Sequence, residues 1–192
     1  MSTVAPNGAV NIAPMGPVLS HPEAMKDLKM DPGFTLRPFE GSTTCANLLA
    51  SRRAVIHVTD DVLLFAKTAI SSSSERSFDE VESLVYRIND GADAVLKDCH
   101  RWFAVEVDRV GGEGPRFELN CRLVASEVMR PFFGFNRAKH AIIEAAILAT
   151  RTHLLDAEQI ATQLRLLRPM VEKTAGHDET EAFQILLNSM QC

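Results

Sequence analysis

Long apolar runs, a secretion signal and a surplus of basic residues are all missing from this chain of 192 residues. No stretch of about 18 consecutive apolar residues occurs, so we expect no membrane-spanning helix and no membrane partner. The N-terminus has no basic patch followed by an apolar stretch, so we expect no signal peptide. The formal net charge of −5 argues against a nucleic-acid partner, because phosphate backbones are held by basic surfaces.

Cysteines are few and scattered, and the four that occur are Cys45, Cys99, Cys121 and Cys192. They do not form the close pairs typical of a metal site, and their spacing does not indicate a disulfide framework. We therefore expect no metal centre and, because free thiols persist in reducing compartments, a cytoplasmic protein. The composition, 46% hydrophobic and 23% charged, is typical of a globular protein.

The most informative stretch is residues 35–61, where the pattern predicts a strand, a tight turn, a short helix and another strand. Gly41 frees the turn to bend. A helix start carries free N–H groups and a partial positive charge, so it can hold a phosphate. The alternative is a well-capped helix without a ligand. Three hydroxyl residues could cap this helix, which runs to about Ser51: Ser42, Thr43 and Thr44.

Strand signals dominate up to about residue 130. Pro6-Asn7-Gly8 predicts the turn of an opening hairpin. Two long strand patterns, Cys99–Val110 and Phe117–Met129, form a hairpin that favours a barrel over a parallel sheet. Residues 75–93 carry both helical and strand signals.

Helical signals take over after residue 130, although an earlier helix to Ile70 is predicted from the capping pair Asp60-Asp61. Asn136 caps a long apolar helix over Ala138–Leu154, whose ionisable residues fall on one line. That line either forms a solvated edge or faces the barrel or a dimer partner. Two further helices are predicted, one from Asp156 to about Arg168, ended by Pro169, and one over Glu179–Met190.

The order of these pieces, with the turn Ser42-Thr43-Thr44 before a short helix, resembles the split-barrel proteins that bind flavin mononucleotide (FMN), which include flavin reductases and pyridoxamine-phosphate oxidases. Four further stretches are Ala13-Pro14-Met15-Gly16, Arg37-Pro38-Phe39, Thr59-Asp60-Asp61 and Asn136-Arg137-Ala138-Lys139. Through these the chain more closely resembles an archaeal and bacterial family known mainly as a domain of unknown function. The resemblance implies an α+β fold, with an antiparallel six-stranded split β-barrel over 1–130 and a C-terminal helical subdomain over 131–192.

The resemblance implies an FMN-binding flavoprotein, with an oxidoreductase of the flavin reductase type as the expected activity. The alternative is a non-redox ligand-binding or pathway-accessory protein on the same scaffold. The chain has no Gly-x-Gly-x-x-Gly turn for a pyrophosphate, which favours the mononucleotide over the dinucleotide. We expect a homodimer with the flavin near the interface. Neither the substrate nor the electron donor can be named.

The resemblance also implies a set of cofactor-binding residues, while no catalytic acid or base can be aligned. Arg37 would be the charge partner of the phosphate, or would instead pair with Glu40 on the surface. Met15 and Gly16 would lie beside the flavin ring, or would pack a hairpin end into the core. Independently of the resemblance, the aromatic run Phe132, Phe133 and Phe135 is expected to be a barrel-to-helix plug, with a stacking platform as the alternative. The implied binding residues are Met15, Gly16, Arg37, Ser42, Thr43, Thr44, Asn47, His57, Arg137 and Lys139.

Overall fold

The computed structural model describes residues 1–26, 31–70, 78–112 and 114–190. Within these ranges the strands are β1 (Ser2–Val4), β2 (Val10–Ile12), β3 (Val18–Leu19), β4 (Phe34–Leu36), β5 (Arg53–Val58), β6 (Val85–Ile88), β7 (Asp93–Leu96), β8 (Arg101–Gly111) and β9 (Glu118–Val128). The α-helices are α1 (Thr43–Ser51), α2 (Val62–Ile70), α3 (Phe78–Ser83), α4 (Arg137–Ala149), α5 (Ala157–Thr174) and α6 (His177–Ser189). None of these helices is long and apolar enough to span a bilayer.

An antiparallel sheet with helices after it confirms the predicted α+β class. The described residues form a seven-stranded sheet in the order β2-β1-β5-β8-β9-β4-β3, one strand more than the six expected, and a separate β6–β7 pair. The predicted hairpins are present, since β1 pairs with β2 and β8 pairs with β9. Residues 75–93 carried mixed signals because a helix, α3, is followed at once by the strand β6.

One face of the central strands forms the core of the sheet. The side chains of Phe103, Val105 and Val107 are buried there, as their alternation along β8 predicts. The rings of Phe34 and Phe103 lie 5.2 Å apart, which joins β4 to β8 across this core. The other buried members include Leu36, Leu48, Ala54, Ile56 and Leu119.

The chain divides into two compact units by its contacts. The first contains Met1–Thr59 and Arg76–Pro131, and the second contains Asp60–Glu75 and Phe132–Cys192. The second unit has its own apolar core, built from α2, α4, α5 and α6. Because residues 60–75 group with the later helices, the two units interleave in sequence, and the domain boundary expected at residue 130 stays a prediction.

Two helix ends differ from the prediction. α4 ends at Ala149 rather than Leu154, and Leu154 is 70% exposed, so no packing favours a longer helix. α5 continues through Pro169 to Thr174. Proline removes only one helical hydrogen bond, and the buried side chain of Val171 holds the last turn on the core.

Candidate functional site

The turn before α1 has the geometry expected of a capped helix start. The Ser42 hydroxyl accepts a hydrogen bond from the Cys45 N–H (3.1 Å) and donates one to the Phe39 carbonyl (2.7 Å). Gly41 has a φ of 81°, and a Cβ at this position would meet nothing within 4 Å. Thr43 is exposed beside it. Gly41 therefore borders open space, and free N–H groups at a helix start can hold a small anion.

Thr44 and Asn47 point into the first unit instead of towards solvent. The Thr44 hydroxyl accepts a hydrogen bond from the Asn11 amide (2.9 Å), and the Asn47 amide donates to the Thr3 hydroxyl (3.0 Å). All four side chains are buried. These bonds fix α1 to β1 and β2, so Thr44 and Asn47 position the helix whose N-terminus forms the turn.

Arg37 is already paired with a carboxylate. Its guanidinium lies 2.7 Å from Glu118, and both side chains are about half exposed. Arg37 does not pair with Glu40, the other partner that the sequence suggested. The Glu40 carboxylate lies against Gly114 instead. Much of the positive charge that Arg37 could offer a phosphate is therefore offset by Glu118.

Arg116 is a basic residue of this corner that sequence reasoning missed. The backbone of Arg116 forms a β-bridge with Phe39. The Arg116 guanidinium donates a hydrogen bond to the Arg37 carbonyl (3.3 Å), and its central carbon lies 5.9 Å from the centre of the Phe39 ring. Within the described residues it forms no ion pair. Strand pairing brings it to the turn across a long stretch of sequence, so no local pattern could have revealed it.

Met15 and Gly16 lie at the end of the opening hairpin. Met15 is half-buried and packs against the core of the sheet, as expected if the end of the hairpin packs into the core. Gly16 is exposed, and a Cβ there would meet nothing within 4 Å. The protein itself therefore imposes no need for glycine at this position.

His57 has one ring nitrogen engaged by the backbone. Its Nε2 accepts from the Leu96 N–H (3.1 Å), which places the proton on Nδ1, a buried atom without a partner among the described residues. Burial, with a smaller effect from the charge of the chain's amino terminus, lowers the pKa of His57 to about 3. The ring is therefore neutral near pH 7 and is not suited to acid–base catalysis there.

The thiols offer no reactive group to this site. Cys45, Cys99 and Cys121 are buried and free. Burial raises the pKa of Cys99 to about 11 and that of Cys121 to about 12, so both stay protonated near neutral pH. Cys192 lies outside the described residues.

Arg137 and Lys139 belong to the second unit, at the start of α4. The Lys139 ammonium donates to the Asp60 carbonyl oxygen (2.7 Å) and lies 3.0 Å from Glu179. Burial acts to lower the pKa of Lys139, but Glu179 and Asp60 outweigh it and the net pKa is raised. Lys139 therefore joins the starts of three helices, whereas Arg137 is exposed.

The expected aromatic plug is not observed. Phe133 is 99% exposed and Phe135 is 89% exposed, so neither ring fills a space within the chain. The line of ionisable residues along α4 is exposed as well, from Arg137 through His140 and Glu144 to the region of Arg151. In the single chain, this helix face is a solvated edge.

Two family descriptions cover most of the chain. The N-terminal domain of the protein of unknown function DUF447 matches residues 1–130, and the second DUF447 region matches residues 136–188. The chain belongs to the DUF447 family. This confirms the resemblance to a family of unknown function that was inferred from the sequence motifs.

Solved structures give the fold of this DUF447 protein. The FMN-bound DUF447 protein MM1853 from Methanosarcina mazei is 21% identical, with a TM-score of 0.78 over 98% of this chain and 91% of that chain. An FMN-binding protein from Thermus thermophilus with bound 1-cyclohex-2-enone is 17% identical, with a TM-score of 0.54 over 66% of this chain and 67% of that one. The flavin reductase HpaC complexed with NADP+ is 14% identical, with a TM-score of 0.54 over 69% and 78%. At these identities the likeness shows the fold, which is that of the flavin reductase-like split barrels.

Proposed function

We propose that this DUF447 protein binds FMN in its split barrel and acts as an oxidoreductase of the flavin reductase type. The observation that carries the proposal is the likeness along 98% of the chain to a member of the same family that is FMN-bound. The Thermus thermophilus FMN-binding protein and the flavin reductase HpaC share the barrel, which supports the same cofactor class.

The phosphate is proposed to sit at the turn before α1. The first-turn N–H groups of a helix are natural phosphate donors, and the space around Gly41 is open. The hydroxyl of Thr43 lies at the same turn, while that of Ser42 caps the helix, and the exposed Arg116, whose backbone bridges Phe39, adds a positive charge. The residues present therefore fit a compact dianion such as the phosphate of FMN.

The other sequence-predicted residues take supporting roles in this proposal. Thr44 and Asn47 hold α1 in place through buried hydrogen bonds. Met15 supports the end of the opening hairpin from the core. Lys139 is engaged by Asp60 and Glu179, so we leave it out of the flavin site. Arg137, Gly16 and His57 stay predictions.

The redox chemistry would come from the flavin when it is bound. The protein's own part is to bind the phosphate, orient the ring and exclude water. No side chain is assigned as a general acid or base, and the neutral His57 is not a candidate near pH 7. The likeness to HpaC complexed with NADP+ supports a nicotinamide dinucleotide as the class of electron donor to test first.

We further propose a homodimer with the flavin near the interface, in a cytoplasmic setting. Symmetric dimers are the commonest assemblies of soluble chains. The free thiols of Cys45, Cys99 and Cys121 support a reducing compartment.

Purified protein tests the cofactor and the chemistry separately. The proposal expects a yellow protein, or a colourless one that quenches FMN fluorescence stoichiometrically and binds the dinucleotide more weakly. Under anaerobic conditions, NADH or NADPH should then bleach the bound flavin. Flavin binding without reduction by either donor would favour the non-redox alternative, and no flavin binding at all would overturn both the cofactor and the activity.

A further inference from the structure

The segment that leads into α4 exposes three aromatic rings within four residues. We name it the aromatic strap: Phe132, Phe133 and Phe135, which are 51%, 99% and 89% exposed. The rings of Phe132 and Phe135 meet edge to face at 6.3 Å, and the ring of Phe135 lies 5.6 Å from that of His140. The rings of Phe132 and Phe135 therefore form a cluster that continues onto the surface of α4.

The adjoining face of α4 is an ionisable stripe formed by Arg137, His140 and Glu144, all exposed. They recur at steps of three and four, so they share one side of the helix. The opposite side, with Ile142 and Ala146, is buried in the core of the second unit. Among the residues that the structure describes, neither Arg137 nor Glu144 has an oppositely charged partner.

The size of the strap points to a protein partner. Since a phenylalanine side chain buries about 150–250 Å², the three rings leave roughly 350–600 Å² exposed. That equals the largest apolar patch of a typical monomer, about 300–600 Å², which is often functional. Two such straps, each covered by the other copy, would bury roughly 700–1,200 Å² of apolar surface, close to the lower limit of a specific interface even before the stripe is counted.

The order of charges along the stripe fits a second copy of the same helix. Arg137 and Glu144 lie at equal distances on either side of the point between His140 and Ala141. If two α4 helices pair antiparallel about a twofold axis at that point, Arg137 faces Glu144 of the partner subunit. By symmetry Glu144 faces Arg137 of the partner subunit, so the dimer contains two such Arg–Glu pairs.

We propose that the aromatic strap and the ionisable stripe form a twofold interface with a second copy of this chain. The inference rests on the homodimer proposed above and names the surface that forms it. The charge pairs set the antiparallel register, because like charges brought together at an interface are strongly unfavourable. The exposed rings supply the apolar area that holds the two copies together.

A charge-reversal series tests the register. We would measure the dimer dissociation constant by analytical ultracentrifugation for Arg137→Glu, Glu144→Arg and the double variant. Each single reversal should weaken the dimer by at least about 100-fold, and the double variant should recover to within about tenfold of the wild type. Arg165→Glu, on the exposed side of α5, is the matched control and should leave the constant unchanged.

A second series tests the strap without risk to folding, because Phe133 is almost fully exposed. Phe133→Ala should weaken the dimer at least about tenfold with no change in melting temperature. Leu166→Ala, at a position 71% exposed on α5, is the matched control. The proposal is overturned if single reversals leave the dimer intact, or if the double variant shows no recovery. The proposal is also overturned if the variants leave the dimer dissociation constant unchanged and alter only the melting temperature or the FMN affinity. These side chains would then contact another part of the same chain and not a second copy.

These outcomes separate this proposal from the proposed function. A wild-type chain that is a monomer with FMN bound would remove the dimer and this interface, and would leave flavin binding standing. A dimer that is insensitive to both series would remove only this interface. Loss of FMN binding in the wild type would leave the dimerisation measurements valid.

Discussion

Replacing Glu179 with glutamine tests the ion-pair network that joins the helices of the second unit. Glu179 is 8% exposed, lies 3.0 Å from the Lys139 ammonium and accepts a hydrogen bond from the Gly176 N–H (2.7 Å). Breaking a buried pair costs about 3–5 kcal/mol, and an exposed pair contributes about 0–1 kcal/mol. Since Glu179 is buried and Lys139 is about a quarter exposed, we expect Glu179→Gln to lower the free energy of unfolding by about 2–3 kcal/mol.

The pH dependence of the free energy of unfolding is a second test of the same ion pair. Burial acts to raise the pKa of Glu179, but the hydrogen bonds from Lys139 and the Gly176 N–H outweigh it, so the folded pKa lies below the ordinary value of 4.5. A carboxylate with a depressed folded pKa stabilises the protein above its unfolded pKa and loses that effect as pH falls through the folded value. The difference between wild type and Glu179→Gln should therefore be full at neutral pH and shrink below about pH 4.5.

Urea unfolding at a series of pH values measures both effects. The matched control is Glu181→Gln on the same helix, because Glu181 pairs with Lys67 at 3.8 Å and both side chains are more than two-fifths exposed. The control should lower the free energy of unfolding by less than about 1 kcal/mol at every pH. If Glu179→Gln destabilises no more than the control, or if its effect grows as the pH falls, the reasoning is refuted.

Three further predictions concern the first unit. Thr43→Ala should weaken FMN binding by about 1–2 kcal/mol, measured by fluorescence titration, and should weaken riboflavin binding less, because riboflavin has no phosphate. Arg116→Met should weaken FMN binding by about 1–2 kcal/mol, whereas the control Arg109→Met, at another exposed arginine, should not; equal effects would remove Arg116 from the site. Asp93→Asn should lower the free energy of unfolding by about 2–4 kcal/mol in urea, because the buried carboxylate is held by the Arg53 guanidinium at 2.6 and 3.0 Å. A loss under about 1 kcal/mol would contradict that account.

Local chemistry explains why much of the fold could be predicted. Ser42, Asn136 and Asp156 each accept a hydrogen bond from the backbone three residues on, which is a property of the adjoining sequence. The turn at Pro6-Asn7-Gly8 and the alternation along β8 are local in the same sense. Such signals do not depend on what the rest of the chain does.

Other features depend on contacts between distant parts of the chain. Thr43 and Thr44 are neighbours of the same kind, yet Thr43 is exposed and Thr44 is buried against Asn11. Arg116 reaches the candidate site only because its backbone forms an isolated β-bridge with Phe39. Their positions follow from the packing of α1 on the sheet and from the bridge between Phe39 and Arg116, which the sequence pattern did not specify.

The apolar residues show a related limit. Hydrophobicity indicated that the run at Phe133 and Phe135 should be buried, and in the single chain both rings are exposed. The hydrophobic effect sets a tendency to bury these rings but does not say whether the surface that covers them belongs to the same chain. Sequence reasoning therefore assigned them to an internal plug.

The central claim is that this DUF447 protein holds FMN, and its most direct test is to identify the flavin that the protein binds. Protein purified without added cofactor, or after incubation with a mixture of FMN, the dinucleotide and riboflavin, is freed of small molecules by gel filtration and then heat-denatured. Mass spectrometry of the supernatant should find FMN in a ratio near one per chain. Recovery of the dinucleotide, or of no flavin from either preparation, would contradict the account.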